Sequence, residues 1–175
     1  KKYNFNYIIY MKQNILIVDD DKDICLTLSK ILTSKGYLVS VASNSDVAIN
    51  EIKNTSVDLV LLDVWLEGSK KNGLELLKII KNYNPSTPII LISGHANVEM
   101  AVESLKLGAY EFITKPFAPE QLLNFISRGL ENVRLKKENF QLENRSFHSF
   151  DFIGENTQIV KIKKLITKLS STDSR

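Results

Sequence analysis

Apolar residues along this chain follow two alternating rhythms. Short runs rich in β-branched residues, NILIV (14–18), YLVSV (37–41), VDLVLLD (57–63), TPIILIS (87–93) and YEFIT (110–114), predict five strands. Between them lie amphipathic segments near 22–35, 44–54, 73–83 and 97–107, the first carrying Ile24, Leu28, Ile31 and Leu32 at helical spacing. Strand and helix in regular alternation predict parallel βαβ units. The runs ILIV, LVLL and IILI are apolar at every position, as strands covered by helices on both faces require, so the expected fold class is α/β, a doubly wound parallel sheet. Gly36 and Gly108 fall just after helical patterns, where a left-handed C-cap suits glycine, and Asn44 and Asn97 fall where N-caps are wanted.

From about Pro119 the rhythm lengthens. Leu123, Ile126, Leu130, Val133, Lys137 and Phe140 recur at alternating spacings of three and four, a heptad seam that Gly129 and Lys137 weaken locally. The seam predicts that the last helix extends into a linker over 128–150 and dimerises, the region 108–144 forming the contact; a simple amphipathic cap is the plainer alternative. After the polar stretch HSFD, Ile159, Ile162, Leu165, Ile166 and Leu169 mark another helical pattern in 151–175, too poor in apolar residues for a core of its own. The main domain is expected over 13–127. Residues 1–12 read as an N-terminal arm, with Met11 the natural start.

A chain of 175 residues with 43% hydrophobic and 25% charged residues has material for one good core. Its single cysteine, Cys25, excludes an intrachain disulfide and suits a reducing compartment. No apolar run reaches membrane-span length and no signal-peptide pattern opens the chain, so a cytoplasmic protein without membrane contact is expected. The net charge of +3 collects late in the sequence, with ten basic against six acidic residues after position 120. A solvated basic helix face explains this, and so would nucleic-acid binding through Lys161, Lys163, Lys164 and Lys168.

The candidate chemistry sits at strand ends, because ligands of open parallel sheets gather outside the carboxyl ends of the strands. The first strand ends in Asp19, Asp20 and Asp21, the third in Asp63 and the fourth in Ser93, while Lys115 follows the fifth. Two unit charges 4 Å apart repel by roughly 4 kcal/mol at an effective dielectric of 20, so clustered carboxylates call for a cation. Oxygen ligands of this kind suit Mg²⁺, and Lys115 supplies a second positive charge. A carboxylate held beside a metal and an ammonium is a competent nucleophile toward an activated phosphoryl group. Asp63 is the candidate nucleophile, with Ser93 and Lys115 able to pair with phosphoryl oxygens. Singly, each residue is ordinary: an aspartate at a strand end is commonly a turn or cap, and a lysine before proline commonly faces solvent.

Through ILIVDDD, LVLLDVWLEG, ISGHA and FITKPF, residues 13 to about 127 resemble the response-regulator receiver family. The resemblance implies a flavodoxin-like five-stranded sheet of order 2-1-3-4-5. It implies Asp20 as a direct metal ligand, Asp19 as a ligand through water, Asp63 as phosphoacceptor and further ligand, and the backbone carbonyl of Trp65 as another. Ser93 and Phe112 take the switch positions and Lys115 the lysine position. The loop WLEGSKKNG is about two residues longer than the family pattern and lacks its proline, which narrows the likeness to the NtrX-like branch of NtrC-type, sigma-54-dependent regulators. FIGENTQIVKIKKLI resembles the segment opening their AAA+ ATPase domain. Contacts with DNA and sigma-54 RNA polymerase, and ATP hydrolysis, are then expected only of domains this sequence lacks.

The implied activity is a phosphorelay: a sensor histidine kinase docks near the first helix, Asp63 takes the phosphoryl group, Ser93 moves inward, Phe112 turns in, and the surface around the fourth and fifth strands changes. The chain itself is expected to be a switch rather than an enzyme. The rival is a haloacid-dehalogenase-like phosphatase, whose DxD pattern Asp19 and Asp21 could supply. His95 and His148 have no partner at metal-ligand spacing.

Overall fold

The computed structural model describes residues 12–95 and 97–148, with side chains as far as 140. Its order is β1 (Asn14–Val18), α1 (Lys22–Ser34), β2 (Leu38–Ala42), α2 (Ser45–Asn54), β3 (Leu59–Asp63), α3 (Gly73–Tyr83), β4 (Ile89–Ser93), α4 (Val98–Lys106), β5 (Glu111–Thr114) and α5 (Pro119–His148). The sheet is entirely parallel, in the order β2-β1-β3-β4-β5.

Alternation along each central strand divides two apolar layers. Leu16, Val18, Val60, Leu62 and Leu91 pack with Ala48, Leu76, Leu77 and Ile80 of α2 and α3. Ile15, Ile17, Leu59, Leu61, Ile90 and Ile92 pack with Cys25, Leu28 and Leu32 of α1 and with Leu122, Ile126 and Leu130 of α5. Every residue of β3 and β4 is buried, which is why their sequences show no polar alternation.

The first strand starts where its run predicts, and the other four begin one or two residues later than theirs, for local reasons. The Tyr37 amide bonds back to Leu32 and caps α1, with Gly36 at φ 91°, so β2 starts at Leu38. Pro88 has no N–H to give a ladder, and β4 starts at Ile89. Asn44 and Asn97 cap α2 and α4 as expected, accepting from the amides of Val47 and Met100.

The chain divides into two compact units, residues 1–135 and 136–175, and α5 passes the division. Its seam departs from the sequence reading. Leu122, Ile126 and Leu130 are buried against the sheet and Leu123 only partly, so the first half of the supposed dimer stripe lies in the core. Leu135 and Phe140 are exposed. Gly129 has a packing role: an added Cβ would lie 3.3 Å from Tyr110 and 3.4 Å from Leu59 and Pro88, so its bareness lets α5 approach the sheet. Residues 1–11 of the arm, Ala96, the 151–175 pattern and its four lysines lie outside the described residues. No described helix is long and apolar enough to cross a membrane.

Candidate functional site

The carboxyl ends of β1 and β3 deliver Asp19 and Asp63 into one cavity of about 860 Å³, lined also by Asp20, Asp21, Trp65, Glu67, Ser69, Asn72, Gly94, His95 and Lys115. Both carboxylates are 5% exposed. The Lys115 ammonium joins them, donating to Asp63 Oδ1 at 2.7 Å and to Asp19 Oδ2 at 2.9 Å. Residues 52 and 96 positions apart in sequence thus meet at one charge.

Backbone fixes the remaining oxygens. Asp63 Oδ2 accepts from the Trp65 amide at 2.6 Å, and Asp19 Oδ1 from the Asp21 amide at 2.9 Å. The Lys115 amide donates to the Ser93 carbonyl at 2.8 Å, which ties the lysine's backbone to the end of β4. Behind Asp19, the Cys25 thiol donates to its carbonyl at 3.3 Å. Burial, with the nearby Asp19 and Asp21 charges, pushes that thiol up to about 11.

Two opposing effects set the charge on Asp63. Burial raises its pKa, and the Lys115 hydrogen bond and charge only partly counter this. Burial alone would lower Lys115, but its bonds to Asp63 and Asp19 win and its pKa is raised. Two deeply buried carboxylates sharing one ammonium leave negative charge uncompensated. The donors are all hard oxygens, and the set fits a divalent cation such as Mg²⁺. Among the described residues no three acidic, cysteine or histidine side chains close a metal cage. That is compatible with Mg²⁺, which keeps several waters and takes one or two carboxylates.

Asp19, Asp20, Asp63, Trp65 and Lys115 therefore line one cavity, and two residues singled out with them do not. Ser93 is wholly buried at the end of β4, its hydroxyl accepting from the His95 amide at 3.3 Å. Phe112 is partly buried on β5 and packs into the α2–α3 layer. Asp21 is the N-cap of α1, accepting from the amides of Asp23 and Ile24, so the carboxylate a DxD phosphatase would need is committed to the helix. His95 lines the rim; the side chain of His148 lies outside the described residues.

Sequence reasoning missed the rim residues Glu67, Ser69 and Asn72. Asn72 was within reach: with Glu75 it forms a capping box at the start of α3, and the spacing Asn-x-x-Glu before an apolar run is its signature.

Comparisons with known proteins give the family and the fold. The sequence model of the response regulator receiver domain matches residues 15–127. The chain is 39% identical over 162 residues to an NtrX-like response regulator of Rickettsia bellii and 39% identical over 165 residues to the nitrogen assimilation regulatory protein NtrX of Azorhizobium caulinodans. These matches cover 93% and 94% of this chain but 34% and 36% of the relatives, so it spans about a third of their length. The crystal structure of the receiver domain of NtrX from Brucella abortus superposes with a TM-score of 0.65 at 43% identity, covering 67% of this chain and 98% of that one. Further neighbours are the beryllofluoride-activated NtrC4 receiver domain dimer, at 36% identity and TM-score 0.65, and a Burkholderia pseudomallei response regulator with a phosphorylated aspartic acid, a calcium ion and citrate, at 26% and 0.63.

Proposed function

Because this chain belongs to the response regulator receiver family, and its relatives are of the NtrX kind, we propose that Asp63 accepts a phosphoryl group from a phosphohistidine on a sensor histidine kinase, and that the acyl phosphate switches dimerisation and the output of a transcriptional regulator. The observation that carries this reading is the Lys115 ammonium held between the buried carboxylates of Asp63 and Asp19.

An oxygen of Asp63 attacks phosphorus as the bond to the histidine nitrogen breaks, and the freed imidazole takes up a proton from solvent. The Asp63 backbone is fixed at the end of a buried strand and its carboxylate by the Trp65 amide, so the nucleophile meets its target in one orientation. Lys115 pairs with an equatorial oxygen of the transferred group. Asp20, Asp63 and the Trp65 carbonyl would hold Mg²⁺ directly and Asp19 through water; bound there, the ion offsets charge on the phosphoryl oxygens. The neighbour bearing phosphoaspartate and calcium supports both assignments by analogy.

The partner's approach has a fitting surface. A second cavity of about 400 Å³ runs between α1 and the β5–α5 connection, lined by Ile24, Leu28, Ile31, Lys115, Pro116 and Phe117. A kinase helix laid there reaches the pocket at Lys115. After transfer, Ser93 swings its hydroxyl to the phosphoryl group and Phe112 follows. Val98, Val102 and Leu105 on α4 and Leu135 on α5 are exposed apolar residues that this change would present to a second copy within or beside 108–144. The NtrC4 receiver dimer supports that mode. We assign contacts with DNA and sigma-54 RNA polymerase to segments outside this sequence.

The test is stoichiometric. Incubated with Mg²⁺ and phosphoramidate, the chain should gain one phosphoryl group by intact mass, and D63N should gain none. A wild type without the adduct, or a D63N variant with it, ends the assignment.

A further inference from the structure

The acidic residues of the pocket are fixed by strand ends, but one wall is fixed differently. The loop over 64–72 is rooted by buried Val64 and Leu66, and the Gly73 amide donates to the Val64 carbonyl at 2.9 Å, clamping its two ends together. Its crest rests on the first turn of α2. There the Ser69 hydroxyl accepts from the Ser45 amide at 2.9 Å, one of the donors a helix start leaves without an internal partner. The Lys70 ammonium lies 2.8 Å from Asp46, but both side chains are more than half exposed and such a pair contributes little. Ser45 itself is fully buried, and its hydroxyl is the one buried side-chain oxygen without a hydrogen-bond partner among the described residues. Ser69, Glu67, Trp65 and Asn72 of this loop line the cavity that holds Asp63.

We infer that Ser69 is a positioning residue: its seat on the start of α2 holds the pocket wall in place and sets how long an acyl phosphate on Asp63 survives. The inference rests on Asp63 being the phosphoacceptor. Hydrolysis needs a water oxygen in line with the Asp63–phosphorus bond; as it attacks, that bond breaks, its electron pair returns to the carboxylate, and phosphate leaves with the water's protons shared with solvent. A wall released from α2 admits more such waters. Loading depends on Asp63, Lys115, the cation and the Trp65 backbone, none of which Ser69 touches, and Trp65 is held at the loop's root between buried Val64 and Leu66, so decay responds more than loading.

The experiment loads the full chain with phosphoramidate and Mg²⁺, removes the donor, and follows the adduct by intact mass. A wild type that never loads defeats the phosphoacceptor reading itself, and only a loading wild type bears on Ser69. S69A should lose the adduct roughly three- to tenfold faster, the factor that the net loss of one hydrogen bond corresponds to. S69T keeps the acceptor oxygen and should restore the wild-type decay. S45P removes the donor amide at a helix position where proline is favoured, with Asn44 already extended before it, and should decay as S69A does. Wild-type decay in both S69A and S45P overturns the inference. So does a fall in loading by the same factor as the rise in decay, which marks general damage to the pocket.

Discussion

Asp63 and Ser93 end neighbouring strands of the same sheet, both buried, yet their surroundings differ in kind. Asp63 opens onto a cavity, carries charge at a cost, and meets a lysine and a backbone amide. Ser93 is sealed and neutral, and among the described residues its hydroxyl receives a single long hydrogen bond, from the next loop. In the proposed relay one strand end reacts and the other responds. The contrast teaches that burial alone does not mark a reactive group: uncompensated charge does, because only there does a new ligand find free energy to gain.

The largest test removes the ammonium. K115A leaves two buried carboxylates facing each other, and we expect a loss of about 3 kcal/mol in urea unfolding together with loading slowed on the order of 100-fold. Wild-type loading would erase the distinction between the two strand ends. Next comes the backbone under Asp63. A Cβ at position 73 would clash with the Asp63 carbonyl oxygen and lie 2.7 Å from the Val64 Cα, so G73A should cost about 3 kcal/mol and weaken loading while leaving the Ser93 side of the sheet intact by amide exchange.

The comparison also has a pH signature. Burial raises the folded-state pKa of Asp63, so the native protein binds a proton more readily than the unfolded chain. Stability without divalent cations should therefore fall as pH rises from the ordinary carboxylate range through the raised value, and D63N should lack that decline. Melting curves on both proteins between acidic and neutral pH decide it; parallel profiles would mean the charge is already compensated. Lys115 acts in the same direction but in a higher window, its contribution complete at neutral pH and lost only as pH climbs from the ordinary lysine range through its own raised value. The smallest effect belongs to Ser93. S93A should change stability by less than about 1 kcal/mol and loading by only a few-fold, yet abolish any phosphoryl-dependent change in sedimentation. A variant that still responds would take Ser93 out of the relay.

Much of this was legible from the chain alone, because apolar runs that stop abruptly at Asp19, Asp63 and Ser93 declare both the strands and the edge where they end. The convergence of Lys115 on two distant acids followed from parallel topology. Other features were hidden for physical reasons. On α5 the adjacent Leu122 and Leu123 fit a three-four rhythm in either of two registers, and only the sheet beneath decides that Leu122, with Ile126 and Leu130, turns inward. The seating of Ser69 on α2 joins residues 24 positions apart through a backbone donor, and no side-chain pattern announces an amide. Asp21 looks in sequence like the two aspartates before it and differs in being taken by a helix start.

The lone thiol has a practical corollary. Cys25 is 6% exposed, donates to the Asp19 carbonyl, and is pushed up to about 11, so almost none of it is thiolate near neutrality. Alkylating dyes and spin labels should pass it by. A cysteine engineered onto the outer face of α4 could then be tagged in the otherwise natural sequence, giving a distance probe whose only reporter is the one placed there.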